Sequence, residues 1–89
     1  MSKYHVLVVD DEPGIRESLA GILEDESYET EVACSGEECL TRLEAKTFHV
    51  VLLDIWLPAM DGLATLERIQ QLDSSRRPAV VVISGHGTI

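Results

Sequence analysis

Oxygen-bearing side chains directly follow the three most apolar runs of the sequence: Asp10 and Asp11, then Asp54, then Ser84. Three carboxylates brought within a few ångströms repel one another, so either some stay protonated or a cation neutralises them. Carboxylates without His or Cys suit a hard ion, and Mg²⁺ fits best because it is commonly held by one or two carboxylates, waters and a phosphate. A carboxylate beside Mg²⁺ can attack a phosphoryl group and form an aspartyl phosphate, to which Ser84 could donate a hydrogen bond. The pattern predicts phosphoryl chemistry, provided that the fold brings these residues together.

The apolar runs are typical of buried strands because they are short, rich in β-branched residues and bounded by polar residues. They span His5–Val9, His49–Leu53 and Ala79–Ile83. A fourth segment, Thr30–Ala33, is half polar and β-branched, which predicts an edge strand.

Segments with helical spacing lie between these strands. The first follows Pro13, which suits a first helical turn, and Arg16 lies on the side opposite its apolar residues. The second opens with a capping box formed by Ser35 and Glu38 and is expected to bury Cys39. The third follows Asp61, a plausible N-cap, and presents a row of apolar residues: Leu63, Leu66 and Ile69.

Strands that alternate with helices imply βαβ units, a parallel sheet and helices on both faces. We therefore predict a doubly wound α/β fold. In such sheets ligands bind outside the carboxyl ends of the strands. If the apolar strands are neighbours, Asp10, Asp11, Asp54 and Ser84 share one crevice.

Composition narrows the function further. The 89 residues carry 7 Lys and Arg against 16 Asp and Glu, a net charge of -9, which disfavours direct binding to nucleic acid. No apolar stretch approaches the roughly 20 residues that cross a bilayer, so no membrane role is expected. Cys34 and Cys39 fit neither a disulfide framework nor a metal quartet, which indicates reduced thiols in a cytoplasmic protein.

Three segments together resemble the signature of the response-regulator receiver domain of two-component signalling: VLVVDDEPGIRESL, VVLLDIWLPAMDGL and PAVVVISGHGTI. The resemblance covers the whole chain, residues 1–89, and implies a flavodoxin-like sheet with the strand order 2-1-3-4. The last segment further resembles the NtrC/NtrX-like branch, whose full-length members are σ54-dependent transcription activators.

The resemblance also implies a role for each site residue. Asp54 would be the phosphoacceptor and would ligate Mg²⁺ directly together with Asp11. Asp10 would hold the ion through water, and the backbone carbonyl of Trp56 would be a further ligand. Ser84 would be the switch hydroxyl that moves toward the phosphoryl group. Two more residues of the family motif would shape the loop beside the site: Pro58 and Gly62.

A sensor histidine kinase is the partner that the resemblance implies, with transcription regulated through output domains outside this chain. A complete receiver continues with a fourth helix, a fifth strand and a fifth helix, and carries a lysine after that strand. None of these is expected within 89 residues, so we expect an incomplete receiver, part of a longer regulator. Its fourth strand, Ala79–Ile83, would then form an apolar edge open to self-association.

The same residues allow other interpretations of function. A single aspartate at a strand end is commonly a turn former or helix cap. The chain could act as a non-phosphorylated interaction module that pairs through its fourth strand. A phosphatase of the haloacid-dehalogenase type also uses a nucleophilic aspartate but wants a second one two residues on, where Trp56 stands. As a receiver, the chain would not be an enzyme but a phosphoacceptor that takes part in its own phosphorylation and dephosphorylation.

Overall fold

The structure is a computed structural model, and it describes residues 4–55, 57 and 62–83. Within these residues, strands and helices alternate as predicted: β1 (His5–Val9), α1 (Pro13–Asp25), β2 (Glu29–Ala33), α2 (Gly36–Ala45), β3 (Val50–Asp54), α3 (Gly62–Gln70) and β4 (Ala79–Ile83). Two boundaries differ from the prediction, since β2 begins one residue earlier and β3 is shifted by one residue. Asp61, the predicted N-cap of α3, lies outside the described residues.

The described strands form one parallel sheet in the order β2-β1-β3-β4, which confirms the doubly wound α/β fold. In the register of the sheet, Val9 of β1 lies beside Ala33 of β2 and Leu53 of β3. The carboxyl ends of these three strands are therefore level. Whatever follows Val9 and Leu53 meets at one edge of the sheet.

One face of the sheet, which we call the closed face, carries Leu7, Val9, Val51 and Leu53 beneath α2 and α3. These four side chains are 0% exposed. Residues from the end of β2, the helices and the loops complete this core: Ala33, Cys39, Leu43, Phe48, Leu57 and Ile69. The Ser35 hydroxyl accepts a hydrogen bond from the Glu38 amide (3.1 Å), so the predicted cap starts α2 against this core.

The opposite face, which we call the open face, carries Val6, Val8, Val50 and Leu52 and is packed by α1. Val6 and Val8 are buried, but Val50 and Leu52 are only half-buried, and no residue of α1 is buried. An apolar groove of about 340 Å³ runs over this face, lined by Tyr4, Val6, Leu23, Tyr28, Val50 and Leu52.

Strand β4 pairs with β3 and forms an edge of the sheet within the described residues. Its central side chains are largely exposed, Val81 by 49% and Val82 by 45%. The predicted apolar edge is therefore present in this part of the molecule. None of the helices in the described ranges has the length and apolarity needed to cross a membrane.

Candidate metal centre

Three carboxylates meet at the carboxyl edge of the sheet. Asp10 follows the last residue of β1, Asp54 ends β3, and one oxygen from each of Asp10, Asp11 and Asp54 lies within 4.8 Å of the other two. Asp10 and Asp54 are wholly buried, whereas Asp11 keeps partial access to solvent. The predicted convergence of these three residues is confirmed.

Asp10 is held by contacts from three directions. Its amide donates to the carbonyl of Ala33 at the end of β2 (3.1 Å). Its Oδ1 accepts from the amide of Glu12 (2.9 Å), which turns the chain sharply after β1. Its carbonyl accepts from Nη1 of Arg16 (2.9 Å). Arg16, which the helical spacing places opposite the apolar residues of α1, is half-buried against this turn.

Asp54 is positioned by two neighbouring segments, strand β4 and the start of α3. It lies beside Ile83 in the ladder, and the next amide, that of Ile55, donates to the carbonyl of Ile83 (3.1 Å). The amide of Gly62 then donates to the carbonyl of Ile55 (3.3 Å). A Cβ atom at Gly62 would collide with Cα of Ile55 and lie 2.6 Å from the carbonyl oxygen of Asp54. Gly62 thus permits α3 to begin directly against the strand end that carries Asp54.

The donor set fits a magnesium ion. All three candidate ligands are carboxylates, and no His or Cys belongs to the group. In the described ranges no other set of three such ligating side chains comes this close together. Hard divalent cations prefer oxygen donors, and positive charge is what buried, neighbouring carboxylates need. Asp10, Asp11 and Asp54 are therefore the residues that could hold Mg²⁺.

The cysteines stand apart from this chemistry. Cys39 is wholly buried, and burial raises the pKa of its thiol to about 12, which keeps it protonated. Cys34 is exposed, and its hydrogen bond to the Glu38 side chain raises the pKa of its thiol. Neither cysteine belongs to the cluster of Asp10, Asp11 and Asp54.

The structure covers part of the predicted site. Asp10, Asp11 and Asp54 come together as expected, and Gly62 lies beside them. Trp56, Ser84 and Pro58 lie outside the described residues, so their roles stay predictions. Arg16 was missed as part of the site. The sequence does indicate a special role for Arg16, because a basic residue near the start of a helix interacts unfavourably with the helix dipole unless it has a partner outside the helix.

Comparisons with known proteins agree with this geometry. The response regulator receiver domain family matches residues 6–89. A response regulator described as NtrX-like from Rickettsia bellii is 46% identical over 93 residues; the match covers 100% of this chain and 19% of that protein.

Solved structures show the same relationship. A CheY-like receiver domain protein from Methanospirillum hungatei superimposes with a TM-score of 0.89 at 34% identity, covering 99% of this chain and 69% of that one. NtrX from Brucella abortus gives a TM-score of 0.84 at 43% identity, covering 97% of this chain and 19% of that one. The present chain therefore spans about a fifth of its NtrX relatives. With the family match, the shared fold and the acidic cluster in place, the chain belongs to the response regulator receiver domain family of two-component systems and is similar to the receiver of NtrX-like regulators.

Proposed function

We propose that this chain is a phosphoacceptor, which takes a phosphoryl group from a sensor histidine kinase onto Asp54. The observation that carries the proposal is the meeting of Asp10, Asp11 and Asp54 within 4.8 Å at the carboxyl edge of the sheet. A lone buried aspartate could be a structural residue. Three carboxylates this close together repel one another and destabilise the fold, but they can bind a cation.

Asp54 is the nucleophile of the proposed reaction. One of its carboxylate oxygens forms a bond to phosphorus as the bond from phosphorus to the histidine nitrogen of the donor breaks. The released imidazole keeps the bonding electron pair and takes up a proton from solvent. Asp11, which retains access to solvent, and Asp54 would hold the cation directly, and Asp10 would hold it through water. When bound, Mg²⁺ offsets the negative charge on the oxygens of the transferring group.

The biological setting follows from family membership. Receiver domains interact with histidine kinases, and we propose such a kinase as the partner here. Ser84 acts as the switch hydroxyl, and the main-chain carbonyl of Trp56 is a further magnesium ligand. The chain accepts one phosphoryl group and takes part in its removal rather than turning over as an enzyme. The free thiols of Cys34 and Cys39 favour a cytoplasmic location, and control of transcription is exerted by regions outside this chain.

The transfer can be tested with a small phosphodonor such as acetyl phosphate in the presence of Mg²⁺, followed by intact mass. We expect one added phosphoryl group on the unmodified chain, none on Asp54→Asn, and none after chelation of the metal. Asp25→Asn is the matched control because Asp25 is exposed at the far end of α1. No labelling of the unmodified chain, under conditions that label a receiver with all five strands, would contradict the proposal.

Metal binding has an independent probe. Trp56 is the single tryptophan of the sequence and follows Asp54 by two residues. Its fluorescence is expected to respond to Mg²⁺, and Asp11→Ala is expected to abolish that response, while Asp25→Ala leaves it intact. Equal titration curves for the unmodified chain and Asp11→Ala would remove Asp11 from the metal site.

A second candidate function, that of an interaction module, rests on the two edges of the described sheet. The β2 edge carries Glu29 and Glu31, and charged side chains protect an edge from pairing. The β4 edge has the sequence AVVVI, without any charge, and exposes Val81 and Val82. We propose that a second copy of the chain can pair along β4.

Sedimentation at increasing concentration tests this pairing. Val81→Lys is expected to shift the chain toward the monomer, whereas Val32→Lys, on the exposed side of β2, should not. A chain that stays monomeric at high concentration would contradict self-association and leave phosphotransfer unaffected.

A further inference from the structure

Arg16 occupies an unusual position for a basic residue. It lies in the first turn of α1, which begins at Pro13 and contains no acidic residue in that turn. The N-cap, Glu12, makes no side-chain capping hydrogen bond. Because the N-terminal end of a helix carries a partial positive charge, a guanidinium there is unfavourable unless contacts outside the helix compensate.

The compensating contact is with the acidic turn, because Arg16 donates from Nη1 to the carbonyl of Asp10 at 2.9 Å. The guanidinium also acts on Cys34 at the end of β2, where its positive charge opposes the rise in thiol pKa that Glu38 causes. Arg16 therefore lies at the end of β1, against the turn that carries Asp10 and Asp11.

We propose that Arg16 is a positioning residue for the magnesium site: by holding the carbonyl of Asp10 it fixes the turn that presents Asp10 and Asp11 to Asp54. This inference rests on the proposed function, since it concerns the same metal site. Two further contacts on Asp10, from Ala33 and Glu12, are made by main-chain groups of those residues. Arg16 is the partner among these three that a substitution can remove.

The consequence for metal binding follows from the preferences of the ion. Mg²⁺ demands a near-ideal octahedral arrangement of ligands at short distances. Neighbouring carboxylates repel one another, so a turn released from Arg16 relaxes toward a wider spacing of Asp10, Asp11 and Asp54. Residues that orient metal ligands typically contribute 10- to 100-fold to metal affinity, and we expect about tenfold here because the main-chain contacts of Asp10 with Ala33 and Glu12 are kept.

Arg76 offers a matched control of the same chemistry. Its Nη2 donates to the carbonyls of Leu43 (2.8 Å) and Glu44 (3.0 Å), near the end of α2. Like Arg16 it ties a side chain to main-chain oxygens, but it does so away from the acidic cluster. Arg16→Gln and Arg76→Gln remove the same charge and the same type of donor. A difference in Mg²⁺ affinity between the two variants is therefore due to where Arg16 lies, beside the acidic cluster.

The test is calorimetric titration of the chain with Mg²⁺ alone, together with urea unfolding of each variant in the absence of metal. We expect Arg16→Gln to raise the dissociation constant for Mg²⁺ about tenfold while the chain is still folded. Arg76→Gln should leave that constant within about twofold of its original value, whatever it does to stability. If Arg16→Gln does not fold, Arg16→Lys and Arg76→Lys replace the two variants, and their dissociation constants for Mg²⁺ are compared in the same way.

Two results would overturn the inference. An unchanged dissociation constant in Arg16→Gln would show that the magnesium site does not need the contact of Arg16 with Asp10. Tighter binding would show that Arg16 acts on Mg²⁺ by charge repulsion and not by positioning. In both cases the unmodified chain still binds Mg²⁺ and Asp11→Ala does not, so the proposed function stands. Absence of Mg²⁺ binding by the unmodified chain would instead refute the proposed function, and this inference with it.

Discussion

The two faces of the sheet have nearly the same composition but differ in how well they are covered. On the closed face, Val51 and Leu53 are 0% exposed beneath α2 and α3. On the open face, the neighbouring residues Val50 and Leu52 are half-buried and line a groove. Ile22 of α1, on the helix that packs this face, is 60% exposed. Strand hydrophobicity therefore predicts which segments enter the sheet, but it does not predict how well each face is covered.

This difference bears on the site because the acidic cluster lies at the end of the open face. Side chains alternate along a strand, so Asp54 falls on the same face as Leu52 and Val50. The residues that complete the cluster come from the turn between β1 and α1, the helix that packs this face. The cluster therefore lies at the end of the face on which Val50 and Leu52 are only half-buried, and hydrogen bonds such as that from Arg16 to Asp10 help to order it.

The largest expected effect compares adjacent leucines of β3. Leu53→Ala should lower the free energy of unfolding by about 3 kcal/mol, because it leaves a cavity in the packed core. Leu52→Ala removes the same atoms from the open face and should cost about 1 kcal/mol, since the side chain of Leu52 is only half-buried. Urea unfolding monitored by circular dichroism measures both. Equal losses would mean that the open face is covered in solution.

A pair of glycines gives the next largest effect, with opposite signs. Gly62→Ala should cost about 2 kcal/mol because the added methyl group meets the main chain of Ile55 and Asp54. Gly21→Ala, in the interior of α1 with no atom within 4 Å of the new Cβ, should gain about 0.5 to 1 kcal/mol.

Gly62→Ala should also weaken Mg²⁺ binding, since the collision displaces the strand end that carries Asp54, whereas Gly21→Ala should leave binding unchanged. The same unfolding measurement, joined to a Mg²⁺ titration, checks both variants. A neutral Gly62→Ala would show that the start of α3 can move away from β3 at little cost.

Particular residues show how far the sequence determines this structure. The runs ending at Val9 and Leu53 identify their strands, and parallel topology is sufficient to bring Asp10 beside Asp54. The hydroxyl of Ser35 caps α2 as its spacing with Glu38 predicts. The reciprocal half of the capping box differs, because Glu38 Oε1 accepts from the amide of Cys34 (2.8 Å).

The remaining errors have a common physical origin. Leu63, expected on the apolar side of α3, is 61% exposed, while the polar Thr65 is wholly buried. The rotation of a nine-residue helix is set by the close approach of Gly62 to β3, and a hydrophobic pattern does not contain that distance. Arg16 illustrates the same limit, since its partner is a main-chain carbonyl that no side-chain pattern indicates.

The smallest expected effect concerns the charged edge of the sheet, opposite the apolar edge at β4. Glu31 of β2 accepts from Lys46 Nζ (2.7 Å) and Arg42 Nη1 (3.0 Å). The hydrogen bond from Lys46, followed by the charges of Lys46 and Arg42, holds the pKa of Glu31 below its ordinary value of 4.5. A carboxyl whose pKa is lowered by folding contributes stability above its unfolded pKa, and that contribution is lost as the pH falls through the folded value.

Glu31→Gln should therefore reduce the free energy of unfolding at pH 7 by only about 0.3 kcal/mol, because exposed ion pairs are screened by solvent. The difference from the unmodified chain should shrink as the pH falls below 4.5, the ordinary value for this carboxyl. It should also shrink in high salt at neutral pH. Glu24→Gln, on the exposed side of α1, is the matched control for the loss of one carboxylate. A difference that persists in acid would mean that Glu31 supports β2 by packing rather than by charge, and the contrast between the two sheet edges would then rest on shape alone.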